Sequence, residues 1–320
     1  MIFNILTIVL FLSSVCYGQD RLAGPFTQDF QSWLTSNGYG QYNFPNLDMG
    51  KYASYGGKAS NDKLKNTPVV FIHGNSDGAL NTYAPANGGW TSTITHFLSK
   101  GYSTSELYAV TWGDRDALTA ALKVHDCKTV TRLRKFVEAV LAYTGAPKIS
   151  VITHSMGVTL GRKAIKGGIL YENSISSCDL GNSLGSSVDV FIGISGANYG
   201  LCNCQGVFAD EAATCNQVSG LWPGDFCGFN FACGIDLGCT SETYSSFLTQ
   251  LNRDTQPEGT TVYSQWSTSD EVIQYSTKVW GQHTCQIPNS ITNVLSGLTH
   301  EKTKDDTAET QYQMITHTFQ

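Results

Sequence analysis

Apolar residues along this chain fall into short continuous runs separated by helical stripes. Pro68-Val69-Val70-Phe71-Ile72-His73 is an apolar run closed by Gly74, the pattern of a strand buried on both faces. Glu106 to Trp112, Ile149 to Thr153, Val188 to Ser195, Thr261 to Trp266 and Ile291 to Leu295 repeat that pattern. Between them lie stretches with one apolar face. Phe26, Phe30, Trp33 and Leu34 share a helical face. Trp90 to Lys100 reads as a helix. Val130 to Tyr143 is another, with Leu133, Phe136, Val137, Val140 and Leu141 on one side and Gly145 as its stop. Val158 to Lys166 is helical up to the Gly167-Gly168 pair, and further helices are expected near Tyr244 to Leu251 and after Thr307.

Short apolar strands alternating with helices predict an α/β architecture, a mainly parallel sheet with helices on both faces. The alternation breaks once, between Gly196 and Cys239. That segment is rich in Gly and Cys and carries Phe208, Leu221, Trp222, Phe226, Phe229 and Phe231. It reads as a stapled excursion at about 200–240 within one domain. In open parallel sheets, sites form beyond the carboxyl ends of the strands, so the loops that follow the strands are where chemistry is expected.

The strand Ile149 to Thr153 runs into His154-Ser155-Met156-Gly157 and then a helix. A Ser on such a tight strand-to-helix turn is the hydrolase nucleophile elbow, usually G-x-S-x-G, which needs small flanking residues because the backbones pass close. Gly157 meets that need, while Thr153 stands at the first small position. An ordinary Ser capping a helix is the plain alternative, but the apolar strand before and the helix after favour the nucleophile.

Thr153-His154-Ser155-Met156-Gly157 resembles the A-H-S-M-G elbow of the class 2 lipases, which include small bacterial extracellular lipases and secreted nematode lipase-related proteins. Phe71-Ile72-His73-Gly74-Asn75 resembles that family's first-strand HG turn. Ser195-Gly196-Ala197-Asn198 resembles its G-G-A-N turn. Ser267-Thr268-Ser269-Asp270 sits where the family has its acid, and Leu298-Thr299-His300 where it has its histidine. The likeness runs from about Thr67 to Thr316. It implies an α/β-hydrolase fold and hydrolysis of carboxylic esters of lipids, with no cofactor. The Cys-rich excursion lies outside the small bacterial pattern.

A Ser nucleophile needs a His to take its proton and a carboxylate to orient that His, in the order Ser, acid, His for this fold. Asp270 follows the carboxyl end of Thr261 to Trp266 and so reaches the site. Its neighbour Glu271 is the rival, whereas Asp189 opens a strand and belongs at the opposite edge. Of seven histidines, three follow Asp270: His283, His300 and His317. His300, in a loop between a strand and a helix, is the preferred base. His283 sits in a turn beside Cys285, and His317 lies near the terminus. His154 and His73 read as structural, with the His154 side chain expected to point away from the site. The oxyanion donors are expected to be the backbone N–H groups of Asn75 and Met156. The Gly-rich His73 to Gly78 stretch lacks the GK[ST] ending of a phosphate loop.

Composition narrows the setting. Of 320 residues, 14% are charged, against the usual quarter or so, and the net charge is -6. Without a basic stripe, nucleic acid is excluded as a partner. The apolar run Ile5 to Val15, followed by Gly18 and then polar residues, reads as a signal peptide over 1–18. It is too short for a membrane anchor. A mature chain of 19–320 is therefore expected outside the cell. Nine cysteines follow Cys16, an odd number that leaves one unpaired. Cys127 and Cys178 stand apart from the later cluster and are expected to pair. In a chain-entropy picture, closing so long a loop stabilises by on the order of 4 kcal/mol. Cys202, Cys204, Cys215, Cys227, Cys233, Cys239 and Cys285 leave their pairing open. Their spacing does not suit zinc, and no metal site is expected.

The expected partners are a lipid or small ester substrate and a transient lipid interface. The excursion is expected to cap the site, with Trp222 and Phe226 meeting lipid. Two other classes keep the same scaffold: a secreted binding protein that has lost catalysis, and a triad peptidase or acyltransferase.

Overall fold

The structure, a computed structural model, describes residues 22–59, 62–82, 88–173, 175–206, 208–227 and 243–320. The expected signal peptide, Phe229, Phe231, Cys233 and Cys239 lie outside the described residues.

The strands are β1 (Ser54–Tyr55), β2 (Val69–Ile72), β3 (Leu107–Val110), β4 (Ile149–His154), β5 (Ile169–Tyr171), β6 (Ser177–Asp179), β7 (Val188–Ile194), β8 (Thr261–Ser267), β9 (Lys278–Val279), β10 (Gln282–His283) and β11 (Ile291–Leu295). The helices are α1 (Gln28–Ser36), α2 (Thr91–Ser99), α3 (Cys127–Thr144), α4 (Met156–Lys166), α5 (Phe208–Glu211), α6 (Ser246–Arg253), α7 (Lys302–Asp305) and α8 (Ala308–Ile315). Seven strands form one sheet in the order β1-β3-β2-β4-β7-β8-β11. Every neighbouring pair is parallel except β1 with β3. This is the mainly parallel α/β sheet that the alternating pattern predicts and the α/β-hydrolase fold that the resemblance implies.

Alternate side chains of each strand feed opposite layers. Val70 and Ile72 join the core under α1, α3 and α4, while Val69 and Phe71 join the core under α2 and α8. Both faces are covered, which is why β2, β4 and β7 read as unbroken apolar runs rather than alternating ones. The edge strand β11 is largely exposed, so its apolar residues Ile291 and Val294 lie half open to solvent.

The expected α3 helix begins earlier than its apolar stripe. Asp126 caps it, its side chain accepting from the Thr129 N–H at 2.6 Å, and Gly145 ends it at φ 66. Two antiparallel ribbons, β5 with β6 and β9 with β10, have no counterpart in the apolar pattern, because their residues are mostly exposed or polar. The disulfide Cys127–Cys178 ties β6 to the start of α3.

The excursion is stapled by Cys202–Cys227 and Cys204–Cys215. Its described part packs on the carboxyl edge of the sheet. His125 donates its backbone N–H to the Ser219 carbonyl at 3.0 Å, and the Thr214 hydroxyl donates to the Ala120 carbonyl at 2.9 Å. Trp222, expected to meet lipid, is buried instead, and Phe226 is partly buried. An indole with no periodic element of its own is more stable packed into the seam between the excursion and α6 than held in water. Cys285 is buried and unpaired.

Candidate active site

Three loops at the carboxyl edge of the sheet meet at Ser155. The residue sits between β4 and α4 with φ 54 and ψ -131, a conformation that a side-chain-bearing residue adopts only when the surroundings enforce it. The enforcement is visible on both sides. The Ser155 N–H donates to the Ile194 carbonyl at 2.8 Å. A Cβ on Gly157 would come within 2.3 Å of the His73 carbonyl oxygen, and one on Gly74 within 2.8 Å of the Ser155 Cβ. Only glycine lets the turn after β2 lie directly against the elbow.

Thr153 fits where a smaller residue was expected because α4 makes room for it. A Cβ at Gly161 would approach the Thr153 methyl to 2.8 Å, so the missing Cβ on the helix accommodates the extra bulk on the strand. The Thr153 hydroxyl donates to the Ile192 carbonyl at 2.8 Å, so no buried polar atom is stranded.

Asp270 and His300 are brought together. His300 Nδ1 donates to Asp270 Oδ2 at 2.7 Å, and both residues are buried. Asp270 Oδ1 accepts the backbone N–H groups of Val272 and Ile273 at 3.0 and 2.9 Å. Burial alone would raise the Asp270 carboxyl. The hydrogen bond and charge of His300, with the Ile273 N–H, outweigh it and hold the group below its usual range. With Nδ1–H committed to Asp270, the lone pair of His300 lies on Nε2, which makes no hydrogen bond.

The rivals have other work. Glu271 Oε2 accepts the His300 backbone N–H at 2.9 Å, so it holds the loop rather than the ring. His283 Nδ1 pairs with the Thr277 hydroxyl at 2.9 Å. His317 and Asp189 pair with each other at 2.9 Å at the amino edge of the sheet. His73 is buried with both ring nitrogens used, donating to the Gly74 carbonyl at 2.7 Å and accepting the Trp112 N–H at 3.0 Å. Burial pushes its pKa down to about 4.

His154 differs from expectation. Its ring does not turn away but packs on His300 with centroids 4.6 Å apart, and its Nε2–H donates to the His300 carbonyl at 3.2 Å. Burial first, and then the charges of His300 and Lys304, keep its pKa far below the ordinary value.

Met156 opens α4, where its N–H is one of the first-turn donors with no carbonyl one turn back. Asn75 follows Gly74. Its side chain donates to the Ala120 carbonyl at 2.9 Å, the same oxygen that receives Thr214 from the excursion. A buried ion pair then joins the Asn75 loop to the His300 loop. Lys304 Nζ lies 2.7 Å from Asp77 Oδ2, 3.0 Å from Glu301 and 3.5 Å from Asp305. Asp77 Oδ1 also accepts the Gly89 N–H at 2.9 Å. Burial would raise the Asp77 carboxyl, but the Lys304 ammonium brings it down to about 2. No sequence pattern pointed to Lys304: a lysine among charged neighbours in a one-turn helix ordinarily reads as solvated surface.

Among solved structures, the fold is similar to Bacillus licheniformis lipase BlEst2 in mature form, at 11% identity and a TM-score of 0.49 over 82% of this chain and 97% of that one. Paleococcus ferrophilus monoacylglycerol lipase matches at 13% identity and 0.47 over 83% and 98%. Aspergillus fumigatus lipase B matches at 14% and 0.48 over 81% and 54%. The family model of lipase (class 2) matches residues 66–313, the whole span from β2 to α8. The chain belongs to the class 2 lipase family.

Proposed function

We propose that this chain is a secreted serine hydrolase that cleaves carboxylic esters of lipids, with Ser155 as nucleophile, His300 as base and Asp270 as the carboxylate that orients the base. The observation that carries the reading is the buried 2.7 Å bond between His300 Nδ1 and Asp270, at the same carboxyl edge of the sheet as a Ser held at φ 54. His300 Nε2 accepts the Ser155 proton as Oγ attacks the ester carbonyl. The oxygen that becomes negative is met by the backbone N–H groups of Asn75 and Met156. His300 then returns the proton to the leaving alcohol, and an acyl-Ser155 ester remains. Water, deprotonated by His300, attacks that ester and releases the acid, restoring Ser155 and neutral His300. The positive charge on His300 exists only during each transfer, and Asp270 stabilises it most at those moments.

The proposal extends to setting and substrate form. Residues 1–18 are a signal peptide and 19–320 one domain, and three disulfides suit an oxidising compartment. No helix of the described residues is long and apolar enough to cross a membrane. The excursion and the Asn75 side chain both bond to the Ala120 carbonyl, and the 3-10 turn that carries Ala120 also carries Leu118 and Leu122, 92% and 65% exposed. Exposed leucines beside an ester-cleaving site suit contact with an aggregated lipid surface.

The test is fluorophosphonate labelling of the purified protein with mapping of the modified residue, followed by hydrolysis of p-nitrophenyl esters of several chain lengths. Labelling at Ser155 with ester turnover is expected; a folded protein that neither labels nor turns over overturns the reading. Leu118→Ser with Leu122→Ser should lower activity on emulsified triglyceride while leaving soluble short esters alone. Equal activity on both would remove the lipid-surface part.

A further inference from the structure

Two buried imidazole nitrogens at the elbow have no hydrogen-bond partner: His154 Nδ1 and His300 Nε2. Buried polar atoms are ordinarily satisfied, so a pair of orphans beside one another calls for an explanation. The catalytic proposal uses one of them. His300 Nε2 takes the Ser155 proton, but His154 Nδ1 has no part in that chemistry.

The surroundings of both rings match what is seen around metal-bound histidines. Such a ring usually donates its second N–H to a carboxylate or a backbone carbonyl, which fixes the tautomer and leaves the other nitrogen free to ligate. His300 donates Nδ1–H to Asp270 at 2.7 Å, and His154 donates Nε2–H to the His300 carbonyl at 3.2 Å. The rings lie with centroids 4.6 Å apart and are tilted by 47° to one another. A third donor stands next to them. One ligand atom from each of His154, His300 and Glu301 lie within 4.8 Å of one another. Two imidazoles and a carboxylate are a common donor set for zinc, whose Zn–N bonds are roughly 2.0–2.1 Å.

The Lys304 ammonium, 3.0 Å from Glu301, opposes a cation there. It is also 2.7 Å from Asp77 and 3.5 Å from Asp305, so three carboxylates surround one ammonium and negative charge is in surplus.

We propose that His154, His300 and Glu301 form an inhibitory site for a divalent transition-metal ion of the zinc type. The ion takes the His300 lone pair that would accept the Ser155 proton, so a loaded molecule cannot turn over. Removing the ion restores the base, and no covalent bond is made or broken. The inhibition rests on the catalytic reading above; the metal binding does not.

The experiment therefore reads binding and activity separately. ZnCl2 is titrated against the purified protein in competition with a chromophoric chelator, and ester hydrolysis and fluorophosphonate labelling rate are followed over the same range. One equivalent should bind, turnover and labelling should fall together, and EDTA should reverse both. His154→Gln should weaken zinc binding about ten-fold or more. Glu301→Gln should weaken it by a smaller factor, and it serves as the second variant if His154→Gln folds poorly. Absence of zinc binding to the native protein up to millimolar concentration overturns the site. So does binding that neither substitution weakens, which would place the ion elsewhere, at Cys285 or a surface histidine. Binding that both substitutions weaken, in a protein with no esterase activity, keeps the site and sinks the catalytic reading.

Discussion

The carboxyl edge of the sheet and the Cys-rich excursion meet at the carbonyl of Ala120 and around His125, yet they are held by different means. At the edge, the loops after β2, β4 and β11 are fixed by close backbone approach, by Gly74 and Gly157 where no Cβ fits, and by the buried Asp77–Lys304 pair. The described part of the excursion adds no strand to the sheet and little helix. It is fixed by Cys202–Cys227 and Cys204–Cys215 and by backbone bonds across its seams, such as Leu201 N–H to the Leu221 carbonyl at 3.0 Å. Where regular elements stack, packing sets geometry to a fraction of an ångström. Where they do not, covalent closure reduces the entropy of the unfolded chain instead. The first region can hold reacting atoms in register; the second can line an entrance.

The sharpest way to break the comparison is at the chemistry of the edge. Ser155→Ala and His300→Ala should each lower kcat by about three to six orders of magnitude, since the pair acts as a unit. Neither should shift Tm much, and steady-state kinetics beside a thermal melt reads both. A loss confined to Tm would mean that the residues are structural.

Next in size is Lys304→Met. It leaves Asp77 buried without its cation, a change that costs about 3–5 kcal/mol in comparable sites. Denaturant melts should show that loss, and the double variant with Asp77→Leu should recover part of it. Full additivity would show that the two loops are not coupled through this pair.

Acid probes the seam between the two regions. His125 is buried between them, bonded to the Ser219 carbonyl at 2.8 Å and to Thr159 at 2.7 Å, and burial pushes its pKa down to about 4. The folded pKa lies below the unfolded value of about 6.5, so the unfolded chain binds the proton first. Stability is whole above pH 6.5 and falls as pH drops toward 4, by on the order of 3 kcal/mol for His125, and His73 adds a similar loss. Melts of native protein and His125→Phe between pH 7 and 4 should show a shallower slope in the variant. Identical slopes would remove His125 from the account.

The smallest effect is expected in the excursion. Cys204→Ser with Cys215→Ser opens a loop of 11-residue separation, worth at most about 3 kcal/mol and less if the excursion melts apart from the sheet. Hydrogen exchange should rise between residues 200 and 227 and stay unchanged in β4 and β7. A uniform rise would show one cooperative unit instead of two.

The central strands, the elbow and the acid–histidine order were legible because each follows from a local pattern: an apolar run, a Gly where backbones cross, a loop after a strand. The contacts among loops were not. His154 lies against His300 because its ring leaves β4 toward the loop after β11, and nothing in T-H-S-M-G states that direction. Lys304 is buried by the company of three carboxylates, two of them neighbours along α7 and the third more than 200 positions away in sequence. Trp222 was misjudged because an aromatic in a Gly-rich segment carries no period from which to tell a seam from a surface. Leu118 and Leu122 sit in a short 3-10 turn, Ala117–Leu122, too brief for a stripe to show.

The bridge between Cys127 and Cys178 has a bearing on survival among proteases. The turn joining β5 to β6 projects outward, with Ile175 95% exposed at its tip, and exposed tips are where chains are cut. A cut there separates the chain into two pieces, one ending near Glu172 and the other beginning near Ser176. Cys127 lies on the first and Cys178 on the second, so the severed halves remain one molecule. The elbow, on the amino-terminal piece, stays with Asp270 and His300 on the other. A clipped sample should run as two bands on a gel only after reduction, while still hydrolysing ester before it.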